Sequence, residues 1–206
     1  SATSLGLLFL TGWAQVLHRY SGKDDVVFAY TRACRSGVLD GIQDLVGLLI
    51  NTVIFRSTCH ADTNISDYLA QVRAQLSAVR PFERTPLSKI REWSDIKGDT
   101  PLFESLVVIQ PYEKNNFFKL REPESPWLNR EVRQEVMPEN PFTLNCYSGD
   151  SVNIEAVYNT TKFSESMVKQ ILNNFKSILL GLCGSLNEPI FSLNMMQHRE
   201  KEQVLR

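Results

Sequence analysis

Three histidines, four cysteines and a pair of closely spaced arginines are the side chains of this 206-residue sequence that invite a chemical reading. His18 falls on the polar side of the first helical stretch, His60 in a charged loop, and His198 near the C-terminal end. A general base needs a positioned acid or nucleophile beside it, and no local motif supplies one. There is no Gly-x-Ser-x-Gly elbow, no glycine loop for a phosphate, no dinucleotide fingerprint and no His-Glu-x-x-His. Cys34, Cys59, Cys146 and Cys183 are scattered without a Cys-x-x-Cys pair, so free thiols and no metal site are expected. Arg32 and Arg35 lie in a polar, glycine-bearing stretch, Thr31 to Gly41, where they can grip a phosphate or carboxylate. They can equally brace the loop or pair across a domain boundary. Asn51 stands inside an apolar run, Leu45 to Phe55. A buried amide left unpaired costs about 1–3 kcal/mol, so Asn51 either satisfies a neighbouring loop's backbone or faces an internal channel. The pattern does not choose between these.

The elements that must position these groups are legible from hydrophobic period. Leu5, Leu8, Phe9, Gly12, Trp13, Val16 and Leu17 recur at helical spacing, predicting a helix over residues 3–20. Val26 to Tyr30 reads as a strand, and Leu45 to Phe55 as a strand buried on both faces. A second helix runs from Ser66 to Ala78, capped by Ser66 or Asn64, and then a short one at Leu87 to Trp93. Leu102 to Ile109 reads as another buried strand. Residues 112–138 show no clean period but carry Phe117, Phe118 and Trp127, which reads as a long excursion that packs on something. Phe142 to Tyr147 and Val152 to Tyr158 predict an antiparallel hairpin, and Ser164 caps a closing helix to Leu186. The order α, β, β, α, α, β, excursion, β, β, α predicts a mixed α/β domain, a central sheet covered by helices.

Composition narrows the function classes. Hydrophobic residues at 43% and charged residues at 22% are ordinary for a globular domain. A net charge of -1 gives no electrostatic reason to expect nucleic acid or an anionic membrane as partner. No apolar run reaches bilayer-spanning length, and a cytoplasmic location is expected. The chain opens on an already apolar, periodic segment, as if cut from something larger.

Several stretches together resemble a known family. Val26-Val27-Phe28 leads to Arg35, then comes Asp40-Gly41-Ile42, then Gly47 to Asn51-Thr52 and on to Arg56. This looks like the second half of a nonribosomal peptide synthetase condensation domain, in which a Gly-x-x-x-Asn-Thr strand ends in Arg. Phe82 to Ile90 stands where that family has a helix with a His-bearing turn before Pro-Leu, and Pro101-Leu102-Phe103 to Gln110 matches its Pro-Leu-Phe strand. The Asn140-Pro141-Phe142 hairpin, the closing helix and Ile190-Phe191 extend the resemblance over nearly the whole chain. The wording near Arg84 and Trp93 looks closest to fungal, siderophore-synthetase-like members. Ala29 and Cys34 stand where the family carries glycine, and Arg84 where it usually has His.

The resemblance implies a chloramphenicol-acetyltransferase-like sandwich lobe, one of two such lobes set in a V around a tunnel. Carrier-protein-bound acyl chains, held on phosphopantetheine, enter that tunnel from opposite faces, and an amide or ester forms. No cofactor is implied beyond that arm. The family's His-His-x-x-x-Asp-Gly lies in the first lobe, and no such sequence exists here. Residues 1–186 would then be the C-terminal lobe, with no catalytic residue of its own, and 187–206 the start of a linker to an adenylation domain. Arg35, Asn51 and Gln110 would lie by the tunnel, and Thr31, Arg32, Ser36 and Gly37 in a floor loop over about 31–41. Phe117, Phe118 and Trp127 would belong to a latch within about 112–138. Implied partners are the N-terminal lobe and the upstream and downstream peptidyl carrier proteins. Two other readings remain open. One is a stand-alone carrier-binding or scaffold module derived from such a lobe. The other is a small acyltransferase using His60. A lobe without its partner is expected to expose an apolar face and self-associate.

Overall fold

The computed structural model describes residues 4–35, 40–42, 44–60, 62–96, 98–111, 139–148, 151–184 and 186–195. Helix α1 (Leu5–Ser21) starts where Ser4 Oγ accepts the Leu7 N–H at 3.3 Å. It stops at Gly22, whose left-handed φ of 66° lets its N–H return to His18 O. Five strands make the sheet: β1 (Asp25–Ala33), β2 (Ile50–Thr58), β3 (Ser105–Pro111), β4 (Phe142–Ser148) and β5 (Val152–Tyr158). They are arranged as one mixed sheet in the order β2-β1-β3-β4-β5, antiparallel at its outer pairs and parallel at its inner ones. Helices α2 (Ile65–Val79), α3 (Leu87–Trp93) and α4 (Glu165–Leu182) complete the set.

Alternation along the strands assigns the two faces. Phe28 lies opposite Phe55, Tyr30 opposite Val53, and Val107 beside both Tyr30 and Leu144. All of these belong to the core shared with the helices. Trp13 is the hub of that core. It stacks on Phe142 at 5.3 Å, meets Phe175 edge-on at 5.8 Å, and donates its indole N–H to Ser105 Oγ at 3.1 Å. Gly12 permits the close approach of α1 and α4, since a Cβ there would come within 2.9 Å of Leu179 Cδ2. The opposite face, with Val27, Thr31, Ile54, Leu106, Val108, Asn145 and Val157, is partly exposed and outside the core cluster.

Several expectations shift. The strand predicted from Leu45 begins only at Ile50, and Leu45, Val46 and Leu48 are exposed. The reason is position: β2 is the sheet's edge and has helices on one face only, so its burial alternates instead of being continuous. Strand β1 runs on through Ala33, so Thr31 and Arg32 are strand residues, not loop residues. Strand β3 starts at Ser105 rather than Leu102, and α4 ends at Leu182 rather than Leu186. Ser36, Gly37, Phe117, Phe118 and Trp127 lie outside the described residues.

Helix α2 is capped by an unusual set of acceptors. Asn64 occupies the N-cap position, yet its side chain makes no capping bond. The first-turn N–H groups of Ile65 and Ser66 are instead taken by Glu188 O at 3.0 Å and Leu186 O at 2.9 Å. Residues 186–195 are therefore packed against the start of α2. Ile190 and Leu193 are buried, and Ile190 N donates to Thr63 O at 2.8 Å. Arg19 of α1 holds this segment by donating to Leu193 O at 2.5 Å and Ile190 O at 3.0 Å, with Phe191 5.8 Å from its guanidinium.

His18 is buried, not on a solvated face. Its Nδ1 lies 2.7 Å from Lys23 O, which fixes that nitrogen as the N–H donor. Nε2 is then left to accept from Ser57 Oγ at 3.1 Å, and Ser57 Oγ in turn pairs with Tyr68 OH. Burial pulls the imidazole below its ordinary value, against smaller opposing pulls from Lys23 O, Asp24 and Asp25. The folded state thus favours neutral His18. Stability is fully present above the unfolded value near 6.5 and is lost as pH falls from there toward the lowered folded value. The urea midpoint is expected to drop as pH falls below about 6.5 in the parent chain and to lack that component in His18→Gln. Equal slopes in both proteins would refute the assignment.

Candidate functional site at the strand ends

The carboxyl ends of parallel strands are where mixed α/β sheets present their crevices. Here the ends of β1 and β3 open into a cleft of about 430 Å³ between the start of α1 and the end of α2. Its charged lining is Arg32, Arg73, Arg80 and Glu83. Arg32 Nε meets Glu83 Oε1 at 2.8 Å, and its Nη2 reaches Oε2 at 3.4 Å, a two-point ion pair. Burial pushes the Tyr30 phenol in this wall up to about 12, so it stays protonated.

Beside the cleft, the turn after α2 is pinned to the sheet edge. Asn51 Nδ2 donates to Glu83 O at 2.8 Å and to Thr85 O at 2.9 Å, and Cys34 Sγ lies 3.4 Å from Glu83 O. Both amide protons of Asn51 are spent on backbone, which selects loop support over a free amide facing a channel. Arg35 is likewise a brace. It donates to Leu45 O at 2.7 Å and Gly47 O at 3.1 Å, holding the apolar 45–49 stretch off the sheet. Val46 at 103% and Leu48 at 87% relative exposure make that stretch an unpartnered apolar tongue among the described residues.

The residues singled out from sequence that are described do not converge on one point. Arg32 and Asn51 are register partners and share the helix-side face at the sheet edge. Thr31 and Gln110 alternate onto the other face, where Gln110 is exposed. Among the described ones, only Thr31 and Arg32 line the cleft. His60 is exposed, and no group of three His, Cys, Asp or Glu among the described residues can hold a metal ion. No described helix is long and apolar enough to cross a membrane. Arg73 and Arg80 escape a reading of the sequence. Their only signal is a seven-residue spacing, which returns to the same face of a helix.

The profile of the condensation domain matches residues 1–205. The chain belongs to the condensation-domain family. This condensation-domain chain is 31% identical over 193 residues to one of the linear gramicidin synthase subunits of Brevibacillus parabrevis, covering 94% of itself and 4% of that protein. It is 28% identical to chondramide synthase cmdD of Chondromyces crocatus (98% of this chain, 5% of that one). With peramine synthetase ppzA of Metarhizium rileyi it shares 26% (98% and 7%). None of these three names carries a siderophore product. Among solved structures, a four-domain nonribosomal peptide synthetase with AMP and glycine superposes at a TM-score of 0.80 and 20% identity, over 96% of this chain and 16% of that one. The starter condensation domain of rhizomide synthetase RzmA gives 0.67 at 17%, over 94% and 45%. The fold is thus the chloramphenicol-acetyltransferase-like sandwich of condensation domains. The chain spans a small fraction of its curated relatives and under half of the starter condensation-domain chain.

Proposed function

We propose that this chain is the C-terminal lobe of a condensation domain, helping to form an amide, or an ester, between aminoacyl and peptidyl thioesters on carrier proteins. The observation that carries the reading is a family match over residues 1–205 in a sequence with no His-His-x-x-x-Asp-Gly. The proton chemistry then belongs to an N-terminal lobe, and this lobe contributes walls, docking surface and interface. The exposed apolar tongue at Leu45, Val46 and Leu48 fits contact with that lobe. The arms bearing the substrates are phosphopantetheine, delivered by upstream and downstream carrier proteins in the cytoplasm, with an adenylation domain beyond residue 206. The test is amide formation from an aminoacyl-carrier donor and an amine acceptor, with the chain alone and mixed with a lobe that bears the His-His motif. No product alone and product on mixing is the expected result. Product from the chain alone that disappears in His60→Ala would overturn the lobe reading in favour of an independent acyltransferase.

A further inference from the structure

We infer that His18, Ser57, Tyr68 and Gln15 form one oriented hydrogen-bond relay in the core between α1, β2 and α2. Charging His18 reverses both of its hydroxyls and turns over the Gln15 amide. These polar side chains come from three elements, and each is at most 3% exposed. The direction of the relay follows from its one fixed end. Lys23 O can only accept, so His18 Nδ1, 2.7 Å away, carries the ring hydrogen. Nε2 is then a bare lone pair, and Ser57 Oγ at 3.1 Å must donate to it. Ser57 has no second hydrogen, so the Tyr68 hydroxyl donates to Ser57 Oγ. Burial pushes the Tyr68 phenol up to about 12, which keeps that hydrogen in place. What remains at the Tyr68 oxygen is acceptor capacity, and the Gln15 amide, which also faces the Cys59 thiol, presents Nε2–H to it. Neither polar atom of that amide closes a full hydrogen bond, so it is the end of the relay held least firmly.

A proton that reaches Nε2 takes up its lone pair and makes the ring a donor at both nitrogens. Ser57 Oγ must then accept from Nε2 and swing its own hydrogen to Tyr68. Tyr68 in turn swings its hydrogen to Gln15 Oε1, which the amide presents only after turning over. One solvent proton is gained and no covalent bond of the side chains breaks; two hydroxyls and one amide change direction. The two polarities are discrete, because reversing a single member puts two hydrogens, or none, between neighbouring oxygens. Asp24 and Asp25, from the turn and from β1, favour the charged ring, but less than burial opposes it. Burial keeps the Cys59 thiol protonated, and the Arg19 guanidinium donates to Leu193 O and Ile190 O. Tyr68 belongs to α2, and His18 and Gln15 to α1, so the relay ties the proton count of the core to how both helices sit on β2.

The test is an NMR titration of the 206-residue chain carrying nitrogen-labelled histidine, which reads the tautomer and the proton affinity of His18. Its signals are the ones lost in His18→Gln. At about pH 8 the ring is expected as the Nδ1–H tautomer, and an Nε2–H tautomer there overturns the relay. Tyr68→Phe leaves the Ser57 hydrogen without an acceptor after reversal, so the proton affinity of His18 should fall roughly three- to tenfold. Gln15→Met, which strands the Tyr68 hydrogen instead, should lower it about threefold, and it carries the test if Tyr68→Phe does not fold. In a Ser57→Ala background the relay is already cut, and each substitution should change the affinity less than about twofold. Equal falls in the two backgrounds mean that burial alone sets His18, and the relay is wrong. A rise in Tyr68→Phe means that Tyr68 holds its hydrogen on Ser57 instead of passing it on, which overturns the reversal.

Discussion

Phe175→Ala is expected to destabilise the fold by about 3–5 kcal/mol, the range for emptying a buried aromatic site. Phe175 is fully buried, meets Trp13 edge-on at 5.8 Å and lies against Gly12, where α1 and α4 touch. Its neighbours cannot collapse easily into the space, because Trp13 is already fixed by its stack on Phe142 and its bond to Ser105 Oγ. For a chain of this size the loss corresponds to a melting point lower by roughly 10 °C. Urea unfolding monitored by tryptophan fluorescence measures it. A midpoint shift equivalent to less than about 1 kcal/mol would show that α4 is not integral to this core.

Arg19→Met is expected to release the C-terminal segment and, through it, the start of α2. Methionine keeps most of the apolar stem but removes the donors to Leu193 O and Ile190 O. Burial lowers the Arg19 guanidinium from its ordinary value, and it stays charged in the fold. Losing charged hydrogen bonds to partly buried carbonyls costs about 2–3 kcal/mol. The diagnostic readout is local. Amide exchange at Ile65 and Ser66, whose hydrogens are held by Glu188 O and Leu186 O, should accelerate sharply, while amides of β4 should respond only to the global loss. Unchanged protection at Ile65 would mean that the segment caps α2 without help from Arg19.

This coupling bears on the expected linker at the C-terminal end. Residues 187–206 read as a linker from sequence, and the portion through residue 195 is packed onto the fold by backbone bonds at the start of α2 and by Ile190 and Leu193. Under the proposed function, an adenylation domain would be tethered from a fixed point against α1 and α2.

Local pattern was sufficient for much of this molecule. The 3.6-residue period found α1, α2 and α4, the Ser164 cap operates as a side-chain acceptor, and the alternating strands located the β4–β5 hairpin. The ordered motifs from Phe28 through Asn51-Thr52 to Pro101-Leu102-Phe103 were enough to indicate the family. These succeed because period, caps and motif spacing depend on residues close together in the chain. Tertiary structure decided the rest. His18 looked solvated along its own helix, but β2 and α2 cover that side with Ser57 and Tyr68. Leu45 to Leu49 looked like strand, yet the ladder with β1 ends at Ile50, and beyond it Leu49 O accepts from Cys34 N while Arg35 holds Leu45 O and Gly47 O. Asn51 had two readings until Glu83 and Thr85 supplied carbonyls for its amide. The cleft of Arg73 and Arg80 exists only because the end of α2 meets the start of α1 above the ends of β1 and β3. Burial, edge position and the meeting of distant elements are properties of the packed chain, and no window of sequence contains them.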